Sequence, residues 1–412
     1  MLKKEMSHND QFATTGGCGA ASPLPPPLAG AIQPALTALP RSSRLDSLDI
    51  LRGLVMVLMA LDHVRDFFTN ANFNPTDLTQ TSVALFLTRW VTHYCAPVFV
   101  FIAGMGAFLS KTRGKTLPDL SRFLWTRGLM LVVFELTIVR FGWSFSFSLD
   151  SIGVQVIWAL GISMICLAAL VRLPVRVAGL FGVAMIVGHN AFDGVRPETF
   201  GSLGWLWNVL HVSRPFQITS SFTFMPAYPL IPWIGVMAAG YAFGGVLLQE
   251  PARRTRILMT LGASLAAVFI LIRALNGYGD MAPWSPQKNA SFTVFSFLNT
   301  TKYPPSLDYL LMTLGPAIFA LGALDKGAGA LGRFLVVFGR VPMFFYILHL
   351  YMAHSLGVVA GMLQGLSGSK ARGFDLPVVY FAWIGVVLAI YPLCKWYGDL
   401  KRRRTDAWLT YL

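Results

Sequence analysis

Charge is what this sequence lacks most. Of 412 residues, only 13% are Asp, Glu, Lys or Arg, about half the share in a soluble globular chain. That scarcity excludes an ordinary soluble enzyme of this length. Cysteine is scarce too. Cys18, Cys95, Cys166 and Cys394 form no CxxC pair and no ligand spacing, so neither a disulfide framework nor a cysteine metal site is indicated. No GxGxxG follows a strand pattern, and no GxxxxGK followed by Ser or Thr occurs, which excludes the common nucleotide folds. Acidic residues number 19 against 33 Lys and Arg, leaving a formal net charge of +14. Such an excess suits nucleic acid, but here the basic residues sit in short clusters between apolar runs. No basic stripe interleaved with aromatics is present, so no nucleic-acid partner is expected.

What the chain has instead is apolar length. Hydrophobic residues make up 55% and mean hydropathy is +0.58. Repeated apolar runs of about twenty residues predict an all-α polytopic membrane protein in a lipid bilayer. About ten transmembrane helices are expected, near residues 48–68, 83–110, 121–141, 152–171, 174–192, 226–248, 256–275, 306–324, 332–364 and 376–398. Gly339 and Pro342 should kink or break the ninth. Residues 1–45, rich in Gly, Ala and Pro, read as a disordered cytoplasmic tail. Residues 46–400 form the membrane domain and 401–412 a basic cytoplasmic tail. Lys111, Arg113, Lys115 and Arg122 mark one side of the membrane. So do Arg172, Arg176, Arg253, Arg254, Arg256, Lys326 and Arg333, with Lys401 to Arg404. The opposite loops are poorer, which puts both termini in the cytoplasm of a cell inner (plasma) membrane.

The stretch LDILRGLVMVLMALDHVRDFF, residues 48–68, is apolar enough to span a bilayer yet carries Asp49, Arg52, Asp62, His63, Arg65 and Asp66. Ionisable groups at membrane depth are costly and mark functional sites. Arg52 and His63 are eleven residues apart. On a helix they fall within roughly 20° of each other and about 16 Å apart along the axis, facing one groove. His63 is the natural general base for an amine or hydroxyl. Asp62 precedes it, but neighbours point about 100° apart, so Asp62 can serve His63 or another partner.

His93, in RWVTHYCAPVFVFIAGMGAFL, can lie at the depth of His63, where the two imidazoles would make a base and an orienting partner. Pro97 follows it, and Gly104 and Gly106 permit close helix packing. Arg89 and Gln155 lie near outer span ends and either line a cavity or snorkel to the interface. Lys302 and Tyr303, in TKYPPSLDYLLMTLGP, precede a helix start, where Lys302 can attract a phosphate-bearing ligand. His349 and His354 are five apart and lack the i, i+4 zinc pattern, so no metal is expected; His349, mid-span, is a cavity candidate. The outer loops near 193–225 and 276–305 carry Trp205, Trp207 and Trp284, as a lid or acceptor surface would, and equally as an interfacial aromatic belt.

LDILRGLVMVLMALDH resembles the Arg-x10-His signature of membrane acyltransferases that decorate polysaccharides. RLDSLDILRGLVMVLM followed by APVFVFIAGMGAFL resembles more closely the heparan-alpha-glucosaminide N-acetyltransferase catalytic family. TKYPPSLDYLLMTLGP and GRVPMFFYILHLYMAH are similar to later blocks of its bacterial relatives, so the likeness spreads over residues 44–355. The resemblance implies a transmembrane acyltransferase taking an acyl group, in the first instance acetyl, from acetyl-CoA in the cytoplasm to a sugar or glycan amine or hydroxyl outside. Arg52, with Lys302 and Tyr303, would hold the donor, and His63, with His93 and Asp62, would carry the chemistry. The lysosomal enzyme places its histidine in the loop after the first span. Here that loop, TNANFNPTDLTQTS, has none, so the role falls to His63 or His93. Transfer can be direct or pass through acyl-His or acyl-Cys95, and a homo-oligomer is compatible with the sequence. The rival reading is a secondary transporter or flippase, although no internal repeat gives the charged first helix a counterpart. A scaffold without catalysis is the third.

Overall fold

The computed structural model describes residues 46–325, 327–365, 373–404, 406 and 409. The expected tail over 1–45 and most of 405–412 lie outside the described residues. Fifteen α-helices are present among those described. They are α1 Asp46–Phe68, α2 Val83–Thr92, α3 Cys95–Thr112, α4 Leu117–Phe134, α5 Arg140–Ser144, α6 Val156–Leu170, α7 Val175–Gly188 and α8 Gly204–Trp207. After them come α9 Leu230–Phe243, α10 Pro251–Leu275, α11 Ala290–Leu298, α12 Leu307–Leu324, α13 Gly329–Arg340, α14 Pro342–Leu363 and α15 Leu376–Arg403. The protein is an all-α, multi-pass membrane protein. Among the described residues, seven stretches are long and apolar enough to cross a bilayer: Val83–Thr112, Val175–Phe192, Leu230–Leu248, Pro251–Leu275, Leu307–Leu324, Pro342–Leu363 and Leu376–Arg403.

Helix α1 stands at the centre. Buried residues occur all round it, from Leu48 and Leu51 to Phe67 and Phe68, as in a core helix rather than one facing solvent or lipid along a stripe. Helices α2, α3 and α12 to α15 all pack on it. Asp46 and Asp49 lie in its first turn and Arg65 in its last, the charge order that suits the helix dipole. Its tightest neighbour is α13. A Cβ on Gly53 would stand 1.9 Å from the Leu335 carbonyl oxygen, and one on Gly339 would stand 1.9 Å from that of Asp49. Only glycine lets the two backbones meet so closely.

Two interruptions shape the site. The second span is two helices, broken at His93 and Tyr94. Pro97 has no N–H for the His93 carbonyl and its ring crowds that oxygen. The Tyr309 hydroxyl donates to it instead, at 2.7 Å. The ninth span breaks at Val341, between Gly339 and Pro342, where the sequence pointed.

A small sheet takes the start of the expected fourth span and part of the expected loop near 193–225. Strands β1 Ser151–Val154, β2 Phe216–Thr219 and β3 Phe222–Pro226 run in the order β1-β3-β2, with β3 parallel to β1 and antiparallel to β2. Ile152 pairs with Phe224. The β1 strand explains why the fourth span starts at Val156 rather than 152. FQIT and FTFMP alternate aromatic or β-branched residues with smaller ones, the composition that suits a pleated surface.

Candidate active site

Part of the α1 face expected from the eleven-residue spacing lines a cavity. Arg52, Met56 and Met59 line it; His63, the next step of the same four-three-four row, is not among the described lining residues and meets the wall residue Tyr346 instead. The cavity measures about 340 Å³ and is otherwise walled by apolar side chains such as Phe99, Ile102, Leu131, Ile157, Leu160 and Met164. Gly106 also lines it, and a Cβ there would meet nothing within 4 Å.

Its ends differ. Arg52, Arg127, Arg340 and Lys401 line it together with Ser110, and no carboxylate is among the described lining residues. Arg52 Nη1 donates to Asp49 Oδ1 and to the Gly339 carbonyl, each at 3.0 Å. Arg340 Nε lies 3.6 Å from Asp49 Oδ2. Asp49 thus holds two guanidiniums side by side, and the glycine contact between α1 and α13 brings them there. At the opposite end Tyr346 lines the cavity, and its ring meets that of His63 edge-on at 5.9 Å.

His63 does not pair with His93. Its Nδ1 lies 2.8 Å from Nε2 of His349, and His349 Nδ1 lies 2.9 Å from the Phe345 carbonyl. A carbonyl only accepts, so His349 Nδ1 carries the proton and its Nε2 keeps a lone pair. The bond to His63 then needs Nδ1–H on His63, which leaves His63 Nε2 as an acceptor. A single tautomer is set by one backbone carbonyl. Trp143, at 4.8 Å and edge-on, closes another side of the His63 ring, and His63 keeps 7% of its surface exposed whereas His349 keeps none.

Asp62 serves a different cluster. It accepts from Arg89 Nη1 at 2.7 Å, from Thr92 Oγ1 at 2.9 Å and pairs with Arg65 Nη1 at 2.9 Å. Among the described residues no hydrogen bond joins it to the His63 ring. Lys302 belongs to the same end of α1. Its ammonium lies 5.2 Å from the Tyr303 ring and 5.8 Å from the Tyr228 ring, and its charge acts on Asp62. Arg52 and Asp62 are ten residues apart on α1, about 15 Å, so Arg52 and the pair Lys302–Tyr303 occupy opposite ends and not one donor site. His93 packs edge-on to Tyr309 at 5.6 Å. The loop bearing Lys302 is pinned by Asp280, which accepts from the Thr301 amide at 2.7 Å and from the Ser306 hydroxyl at 2.6 Å. Trp284 and Trp207 each donate to a backbone carbonyl, Arg273 and Val195, at 2.9 Å. Cys95 is buried, with its thiol 3.3 Å from the Val55 carbonyl. Gln155 donates its backbone N–H to Glu135 Oε1 at 2.7 Å.

Sequence reasoning missed Arg127, Arg340 and Lys401, counting the tail charges only as topology markers. Arg127 carried a usable signal, because it interrupts the apolar run FLWTRGLMLVVF. Arg340 and Lys401 reach the cavity only through packing between distant segments.

The family described as Heparan-alpha-glucosaminide N-acetyltransferase, catalytic, matches residues 44–275. The match takes in Arg52, His63, His93 and Arg127, and stops short of Lys302, Arg340 and His349. No curated protein matches the chain.

Proposed function

We propose, from the premise that this chain belongs to the heparan-alpha-glucosaminide N-acetyltransferase catalytic family and is therefore a membrane acyltransferase, that it carries an acyl group across the bilayer plane. The donor is acyl-CoA, in the first instance acetyl-CoA, on the cytoplasmic side. The acceptor is an amine or hydroxyl of a sugar or glycan on the outer side. About ten spans with both termini cytoplasmic, as the loop charges require, set the basic end of the cavity towards the cytoplasm in a cell's plasma membrane.

The observation that supports this reading is the cavity lined by Arg52, Met56 and Met59 on α1 and by Tyr346, whose ring meets that of His63, the next step of the same α1 row. Arg52, Arg127, Arg340 and Lys401 receive the CoA phosphates by charge-assisted hydrogen bonds. The apolar walls take the pantetheine arm, and the thioester arrives beside Tyr346 and His63. His63 Nε2 removes the acceptor's proton as its oxygen or nitrogen attacks the thioester carbonyl carbon. Tyr346 donates to the oxyanion that develops. The carbon–sulfur bond then breaks, and the sulfur leaves with the proton held by His63, giving acylated acceptor and free CoA thiol. His349 touches no substrate; it holds the His63 tautomer and shares the imidazolium charge. Direct transfer fits better than an acyl-Cys95 route, because the Cys95 thiol is buried and faces the Val55 carbonyl. Asp62, Arg89 and Lys302, at the outer end, form the acceptor's approach.

Free CoA release from acetyl-CoA, measured with a panel of amino sugars and glycans, tests the assignment. His63→Ala should lose about 10²- to 10⁴-fold in turnover while keeping the folded protein's thermal transition. Turnover retained in that folded variant would remove His63 as the base.

A further inference from the structure

Two of the chain's seven histidines and one aspartate, none of them lining the cavity, gather together without a role so far: His189, Asp193 and His211. His189 lies just past the end of α7, near the close of the apolar stretch Val175–Phe192, Asp193 follows that stretch directly, and His211 lies in the turn after α8. One ligand atom from each lies within 4.8 Å of the others. His189 and His211 are each only 2% exposed, and all four of their ring nitrogens lack a hydrogen bond of normal geometry. His211 Nε2 stands 3.2 Å from Asp193 Oδ1, yet that oxygen too is unsatisfied.

We propose that His189, Asp193 and His211 bind a transition-metal cation of the Zn²⁺ class, as a clasp on the outer loops. Leaving a buried polar group unpaired is destabilising, and three such groups converge here, so a shared cation resolves what hydrogen bonds do not. Two imidazoles and one carboxylate are a zinc donor set, with water in the fourth position. Imidazole nitrogens select against Mg²⁺ and Ca²⁺, which take oxygen. Zinc ligands about 2.0–2.1 Å from the metal stand roughly 3.3 Å apart in a tetrahedron. The His211–Asp193 pair, at 3.2 Å, already meets that spacing, and the widest pair, within 4.8 Å, needs to close by at most about 1.5 Å.

The surroundings support the carboxylate and tie the site to the fold. Asn190 Nδ2 donates to Asp193 Oδ2 at 2.8 Å, leaving Oδ1 for the metal, the second-shell arrangement that orients ligating carboxylates. The Pro305 carbonyl stands beside the His189 ring, placed to accept its other N–H. Asn190 Oδ1 also accepts the Leu307 amide at 2.9 Å. The clasp therefore fastens the end of α7, the 193–211 segment and the start of α12 next to Lys302 and Tyr303.

The test is Zn²⁺ titration, by calorimetry, of the full chain purified in detergent without a histidine tag and stripped by chelator, with Mg²⁺ as control. One Zn²⁺ per chain is expected, with no comparable Mg²⁺ binding. Affinity should fall at least tenfold in Asp193→Asn and in His211→Ala, and stay unchanged in His354→Ala, whose ring is as deeply buried. Co²⁺ in the unaltered chain should give the visible absorption of a tetrahedral site, a readout that does not depend on any variant folding. Absence of Zn²⁺ binding by the unaltered chain, or equal binding by Asp193→Asn and His211→Ala, would overturn the proposal.

Discussion

His63 can act as a base only if one ring nitrogen keeps its lone pair, and here that choice is made two residues away. The Phe345 carbonyl fixes the His349 tautomer, and His349 fixes that of His63. Replacing His349 with Leu removes the acceptor and leaves a buried N–H on His63 without a partner, at about 1–3 kcal/mol. Turnover should therefore fall roughly 10- to 100-fold, with the KM for acetyl-CoA unchanged, because His349 does not line the cavity. Steady-state kinetics separates the two constants; a KM rise with unaltered kcat would place His349 in binding instead. At this scale the sequence was partly legible. A fixed 3.6-residue period makes the Arg52–His63 face readable from spacing alone. The His63–His349 bond is not readable, since it joins residues 286 positions apart. Asp62 shows the opposite limit: adjacency in sequence suggested a partner for His63, and the helix turned it towards Arg65, Arg89 and Thr92.

Between elements, the contact that sets the basic end of the cavity is α1 against α13. An alanine Cβ at position 339 would stand 1.9 Å from the Asp49 carbonyl oxygen, which is backbone and cannot rotate away. Gly339→Ala must push α13 off α1, and with it the carbonyl that Arg52 uses and the Arg340 guanidinium. Overpacking of this kind costs about 1–3 kcal/mol. A lowered thermal transition in detergent is expected for Gly339→Ala, against no change for Gly106→Ala, where the new methyl group meets nothing within 4 Å. Equal transitions in the two variants would contradict the packing argument. The Gly339–Pro342 break was legible because both residues disfavour a continuous helix locally. The break at His93 was harder to see, because Pro97 acts four residues back and Tyr309, from α12, is what completes it. Strands β1 to β3 escaped because segments of four or five residues carry too little periodicity to stand out from loop.

Over the whole molecule, α1 has a basic cluster at one end, a histidine pair near the other, and an apolar cavity between them. Beyond the pair lie Asp62, Arg89 and Lys302, held under loops that Arg273, Asp280 and Trp284 tie down. Hydropathy announced the membrane class. The family match over residues 44–275 identifies the acyltransferase family. The cavity itself could not be read in advance, since α1, α3, α4, α6, α13, α14 and α15 all supply wall residues. The account stands on one division of labour: the donor's phosphates bind at Arg52 and the chemistry happens at His63. Calorimetric titration of acetyl-CoA into the full chain in detergent, beside Arg52→Ala and His63→Ala, measures that division. The account predicts saturable binding by the unaltered chain, weakened roughly tenfold or more in Arg52→Ala and kept in His63→Ala. No binding by the unaltered chain, or binding lost in His63→Ala and kept in Arg52→Ala, would contradict it.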